Sequence, residues 1–338
     1  MELILVLLST LCAAFPMGLF LTLVWVSDRY DREPLWLVAL TFFWGAIGAV
    51  LIALPLNTGF SMFVSAVVAP ALTAAGFDGS LAEQVLGPTV GAPLFEEPAK
   101  ALFFIFIAWN RRPHDMSSGF VYGAAAGLGF GMTENFLYFN SVAGNLGAWG
   151  MTVLIRTFYS ALLHAMTTAV VGAAFGFARM RGWLTILGAT SAGLFAAMLL
   201  HAMWNGLLSL DQFSPVDLQA TNFILLPMEV MFVAFVYQLC LLDDSLAIRR
   251  ELEEEEDAGR LPTDHSWILA SWWRRKLTTF APDGVQPDRY IRTATALARR
   301  KRQLKLLGDR APDFYRDDVR RLRRQLELFQ QPEDIATS

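Results

Sequence analysis

Seven stretches of this chain are apolar over the length needed to cross a bilayer, and no other feature restricts its fold as tightly. They lie near residues 3–26, 35–55, 84–109, 118–140, 150–178, 183–210 and 221–242. A run of about 20 apolar residues spans the hydrocarbon as a helix. Lipid offers the backbone no hydrogen-bond partners, and a helix supplies its own. The expected class is all-α: a polytopic membrane helix bundle of about seven spans. An eighth run, 57–76, is ambiguous and makes eight if it crosses. The first run is too long for a signal-peptide core and has no basic segment before it, so it reads as a retained span.

Charge divides the chain. Residues 1–242 hold 8 of the 27 Lys/Arg and 13 of the 31 Asp/Glu; residues 243–338 hold the rest. The expected domains are therefore a membrane domain, 1–242, and a soluble charged helical tail, 243–338. The net charge of −4 averages two media and selects no partner. Basic residues of the short loops fall at Arg29/Arg32, Arg111/Arg112 and Arg179/Arg181. If 57–76 does not cross, all of them lie on one side, as the positive-inside rule favours. The N-terminus then faces out, the tail faces the cytoplasm, and 57–76 is an interfacial or re-entrant piece on the outer face. Cys12 and Cys240 sit in separate apolar runs, which argues against a disulfide framework or a cysteine metal site.

Ionisable residues inside the apolar runs are the candidates for chemistry, because a charge at bilayer depth is unfavourable by about 2.5–3.5 kcal/mol on insertion scales. Glu96 and Glu97 are adjacent within 85–110. Lys100 lies at i+4 from Glu96 and can pair with it, and Pro98 frees the carbonyl of Leu94, kinking the helix beside the acids. Such a group serves either a general base that activates water or an ion pair that ties helices together. Glu134 and Asn135 follow Gly123, Gly127, Gly129 and Gly131, whose spacing admits close helix contact. They read equally as a structural hydrogen-bonding cluster and as part of a site. Arg156, Ser160 and His164 recur at i, i+4 and i+8, with Arg156 a counter-charge for Glu134 or for the glutamate pair. His201 and Asn205 are one turn apart in HAMWN and can donate to one oxyanion. The competing use is a metal site of His164, His201 and a glutamate. His114 falls in a loop and His265 in the tail. Glu229 in the last run has no evident partner and reads as a helix-packing residue.

At these residues the chain resembles the PrsW family of intramembrane proteases. Four pieces carry the likeness, in family order over most of 27–210: DRYDREP after the first span, FEEPAK, GFVYGAAAGLGFGMTENFLY, and the histidines of LLHAMTTAVVG and LHAMWN. The family is similar in turn to the type II CAAX-protease superfamily, with its double glutamate and His-x-x-x-Asn, which His201 and Asn205 match. Two positions depart from the superfamily pattern: Lys100 stands one residue closer to the glutamates than the usual arginine, and Ser160 replaces a phenylalanine before His164.

The resemblance implies peptide-bond hydrolysis in or near the membrane by a glutamate-activated water. Glu96 is then the base, Glu97 and His164 hold the proton and the water, and His201 and Asn205 stabilise the oxyanion. Lys100, Glu134, Asn135 and Arg156 support them. It also implies membrane-anchored substrates of the anti-sigma-factor kind and a bacterial inner membrane. No cofactor is the favoured expectation; zinc is the alternative, since the family is often labelled metallopeptidase. Two other classes stay open. A proton-coupled transporter would use the same buried charges, though it would more often show an internal repeat, and none is evident. A non-catalytic membrane scaffold is the other. In the tail, 267–280 combines Trp272/Trp273 with Arg274/Arg275/Lys276 and suits a segment beside anionic lipid. Residues 288–308 and 313–330 read as two charged amphipathic helices. Acids interleave with their basic clusters, which disfavours nucleic acid.

Overall fold

The computed structural model describes residues 2–30, 32–109, 115–211, 218–277, 280–282 and 284–330. Asp31, the pair Arg111/Arg112 and His114 lie outside them. All regular structure among the described residues is helical: α1 Glu2–Ser27, α2 Leu35–Ala74, α3 over 79–101, α4 Phe103–Trp109, α5 Met116–Ser141, α6 Leu146–Ala178, α7 Trp183–Leu210, α8 Leu218–Asp257, α9 His265–Leu269, α10 Trp272–Leu277, α11 Pro287–Leu307 and α12 Asp313–Gln330. Starts follow local chemistry. Asp78, Asp115 and Asn145 each accept a backbone N–H of the first turn, at 2.9, 3.0 and 3.1 Å, before α3, α5 and α6.

The chain forms two compact units. The first comprises Met1–Ser27 and Glu33–Tyr237, the second Asp28–Arg32 and Gln238–Ser338. Five helical stretches are long and apolar enough to cross a membrane: Leu3–Ser27, Leu35–Ala74, Leu146–Ala178, Trp183–Leu210 and Leu225–Asp257. Two expected spans, 84–109 and 118–140, are helical but less apolar. The first carries Glu96, Glu97 and Lys100, and α4 breaks from α3 at Leu102. The second falls in α5, every residue of which from 117 to 131 is buried by protein. A helix shielded on all sides needs no apolar surface toward lipid, so glycine and polar residues are admitted there. The separate piece expected over 57–76 is instead the second half of α2, one continuous helix of 40 residues. At about 1.5 Å per residue that is about 60 Å, twice the hydrocarbon thickness.

Within the first unit, α5 is the axis. A Cβ on Gly123 would overlap the Thr168 carbonyl of α6, and one on Gly129 would overlap the Phe42 carbonyl of α2. Small residues thus bring two backbones against opposite sides of α5. Tyr122, Val121, Phe104, Val171 and Phe175 fill the space at one end. At that end the buried Glu33 carboxylate accepts the hydroxyls of Ser118 and Tyr122, anchoring the start of α2 to α5. The charged loop before α2 thereby supplies a structural clasp.

The second unit has its own core of Ile248, Leu252, Leu269, Tyr290, Leu297, Leu322 and Leu326. α11 and α12 pack together as the expected pair of amphipathic helices. Their polar sides meet the end of α8 at Glu255, which accepts from Lys301 at 2.7 Å, Arg260 at 2.6 Å and Arg323 at 2.8 Å.

Candidate active site

α3 places the two glutamates through an irregular backbone. Pro88, Pro93 and Pro98 each remove a helical N–H, and a wide π-helical turn occupies 87–91. A second wide turn occupies 156–160 in α6, so Arg156, Ser160 and His164 do not keep the simple i, i+4, i+8 register; all three nonetheless reach one cavity.

That cavity has a volume of about 610 Å³ and is bounded by α2, α3, α5, α6 and α7. Glu96, Glu134, Arg156, His164, His201 and Asn205 line it, whereas Glu97 and Lys100 do not. Glu96 is buried; its Oε1 accepts from Asn57 Nδ2 at 3.0 Å, and its Oε2 has no hydrogen-bond partner. Glu97 is sealed. Its Oε1 takes the Lys100 ammonium at 2.7 Å and His201 Nδ1 at 2.8 Å, and its Oε2 takes the Thr168 hydroxyl at 3.3 Å. Lys100 therefore sits closest to Glu97, with Glu96 Oε2 farther off at 3.8 Å, rather than pairing first with Glu96 as the i+4 spacing suggests.

The two histidines differ in the same way as the two acids. His164 Nδ1 lies 3.0 Å from Lys100 Nζ, and its Nε2 lies 2.6 Å from Glu134 Oε2. An ammonium can only donate, so Nδ1 is the acceptor and Nε2–H donates to Glu134. His201 spends Nδ1 on Glu97, and no hydrogen bond engages its other nitrogen among the described residues. The rings meet edge to face with centroids 5.1 Å apart. Arg156 pairs with Glu134 at 2.7 Å, its Nε donates to Asn135 Oδ1 at 3.2 Å, and its guanidinium covers the Tyr138 ring at 3.6 Å. Of the two counter-charge roles open to Arg156, the structure places it on Glu134. Asn205 spends one amide hydrogen on the Pro88 carbonyl at 2.9 Å. Lys100 Nζ also stands 4.3 Å from the Phe130 ring centre.

Glu96, His164 and His201 each offer a ligating atom, all within 4.8 Å of one another, and form a candidate metal triad. Six of the residues singled out from the sequence for catalysis or support thus line one cavity, and Glu97, Lys100 and Asn135 stand behind them, bonded to His201, His164 and Arg156 respectively. Glu229 does not line it; it is buried on α8 with neither carboxylate oxygen hydrogen-bonded. Three participants were not singled out from the sequence: Asn57, Thr168 and Phe130. Only Asn57 carried a signal, as a lone carboxamide inside an apolar run.

No curated protein and no solved structure matches the chain. The sequence profile described as PrsW family intramembrane metalloprotease matches residues 33–238, more than half of the chain and the whole of the cavity's lining, so this chain belongs to the PrsW family of intramembrane proteases.

Proposed function

We propose that this membrane-embedded peptidase hydrolyses membrane-anchored protein substrates, of the anti-sigma-factor kind, with a water activated by Glu96. The observation that carries this reading is the division of the acid pair: Glu96 presents a partnerless oxygen beside the cavity, while Glu97 is locked among Lys100, His201 and Thr168. A base needs an oxygen free to accept a proton from water. Asn57 orients that carboxylate from its other oxygen. Water attacks the scissile carbonyl as Glu96 takes its proton, and Glu96 then returns that proton to the leaving amine nitrogen as the tetrahedral adduct collapses and the C–N bond breaks. The second amide hydrogen of Asn205 is the donor for the oxyanion, joined by His201 Nε2 in the form of that ring that carries a proton on both nitrogens, because its Nδ1–H is held by Glu97. Glu134 and Lys100 fix the ring of His164, which supports the water site from behind. The cavity supplies the polar space that hydrolysis requires within a membrane. In this reading the N-terminus faces out and the tail faces the cytoplasm, as the basic loops favour, and the family resemblance implies a bacterial inner membrane.

A metal would draw on Glu96, His164 and His201. As arranged, these residues do not fit one: both ring nitrogens of His164 are engaged, one with the Lys100 ammonium. Ligation by His164 would break one of these bonds and set a dication beside that ammonium.

The test is cleavage of tagged single-span substrates in proteoliposomes. Glu96→Gln is expected to lower turnover by about 10²–10⁴-fold, the range for loss of a general base, while insertion and melting stay as in the wild type. Turnover is expected to survive chelators, and metal analysis should find no stoichiometric zinc. Equal cleavage by Glu96→Gln, or loss of cleavage on chelation with recovery on adding zinc, overturns the mechanism.

A further inference from the structure

The second unit continues from the first at two points: Asp28 follows Ser27, the end of α1, and Gln238 follows Tyr237 within α8. The Tyr237 hydroxyl donates to the Ser27 carbonyl, so these two exits adjoin. Just past the first exit, residues 29 and 30 are gripped by α9 and α10. Tyr30 donates its hydroxyl to the Ala270 carbonyl at 2.9 Å, and the Arg275 guanidinium lies 4.7 Å from its ring centre. The Arg29 guanidinium lies 4.9 Å from the Trp272 ring centre. The gripped residues follow Ser27 directly in the chain, and two residues reach no more than about 7 Å, so the tether between this grip and a membrane span is short.

The side chains that the grip leaves outside are of two kinds. Trp273 and Leu277 are 62% and 81% exposed, and Trp267 is 45% exposed. Among them stand Arg274, 3.2 Å from the Trp267 ring centre, and Lys276, 4.0 Å from that of Trp272. Among the described residues, no carboxylate pairs with Arg29, Arg274 or Lys276. Exposed indole and leucine side chains interleaved with unpaired cations match the headgroup layer, where apolar bodies enter the acyl boundary and cations meet phosphate.

We propose that α9 and α10 form a foot on the bilayer surface that binds the anionic phospholipid headgroups around the end of α1. The foot ties the tail to the membrane independently of any substrate, so it stands whether or not the catalytic reading does.

The test uses the full chain in vesicles, with Cys12 and Cys240 exchanged for serine and a polarity-sensitive fluorophore attached through Leu277→Cys. In vesicles of phosphatidylcholine mixed with phosphatidylglycerol, the label is expected to shift to the blue and to be quenched by a lipid carrying a nitroxide at headgroup depth. Arg274→Gln and Lys276→Gln are each expected to lower the lipid-contacting population about fivefold, from the attraction of one cation to an anionic surface. Trp273→Cys gives a second label on the same helix, and labelled proteins are compared only where melting matches the parent. Quenching by aqueous iodide and not by the lipid nitroxide overturns the proposal. So does quenching that is the same on phosphatidylcholine alone and indifferent to both substitutions.

Discussion

Glu96 and Glu97 are identical side chains on consecutive residues, and their surroundings give them different work. A lysine, a histidine and a threonine saturate Glu97; a single carboxamide hydrogen-bonds Glu96, with the Lys100 ammonium farther off at 3.8 Å. Asn57 should therefore act on rate rather than on binding. Asn57→Ala is expected to lower kcat about tenfold with KM little changed, the effect of losing about 1.4 kcal/mol of orientation in the transition state. Steady-state cleavage in proteoliposomes measures it, and Asn57→Asp should be worse because it sets a like charge against Glu96. At this scale the sequence marked residues that the fold brings together, because an ionisable group in an apolar run stands out. Who bonds to whom was not legible. The i+4 rule pairs Lys100 with Glu96, but the closer oxygen is on Glu97, because the contact also depends on His164 reaching in from α6.

The helices carry the next level of the argument. α3 contains a proline at every fifth position from 88 to 98, which loosens its hydrogen-bond ladder beside the acids, and the Asn205 amide takes up the carbonyl of Pro88. Spans with long apolar runs were plain in the sequence. The continuation of α2 from 57 to Ala74 was not, since Pro70 and several small residues there look like punctuation and yet are accommodated by helix. α8 carries a buried carboxyl that no described neighbour hydrogen-bonds. Both oxygens of Glu229 are buried without hydrogen bonds, a state that is unfavourable by about 1–3 kcal/mol. Glu229→Leu is expected to raise the melting temperature of the purified protein while leaving turnover unchanged, and thermal scanning beside a cleavage assay measures both.

Across the whole molecule, the change in charge near residue 242 pointed to two parts, and the compact units divide close by, at Tyr237. That residues 28–32 belong with the tail was hidden, because only the folded contacts of Tyr30 and Arg29 reveal it. The tail has its own response to acid. Burial alone would raise the Glu255 carboxyl, but hydrogen bonds from Arg323, Arg260 and Lys301 outweigh it and bring the group down to about 2 from an ordinary value of 4.5. A carboxyl lowered on folding stabilises fully above its unfolded value, and that stabilisation is lost as pH falls toward the folded one. The tail's unfolding transition in calorimetry of the full chain is thus expected to move down between about pH 4.5 and about pH 2, and Glu255→Gln should flatten that limb. Finally, the seclusion of α5 bears on how the protein is made. A helix rich in glycine and bearing Glu134 has a weaker affinity for lipid than the more apolar spans when it first leaves the ribosome. Of its two close neighbours, α2 is already made and α6 is not, so α5 gains its full shelter only when α6 follows it in. Biogenesis would then join the catalytic helices as a set, after the more apolar segments have already found the membrane.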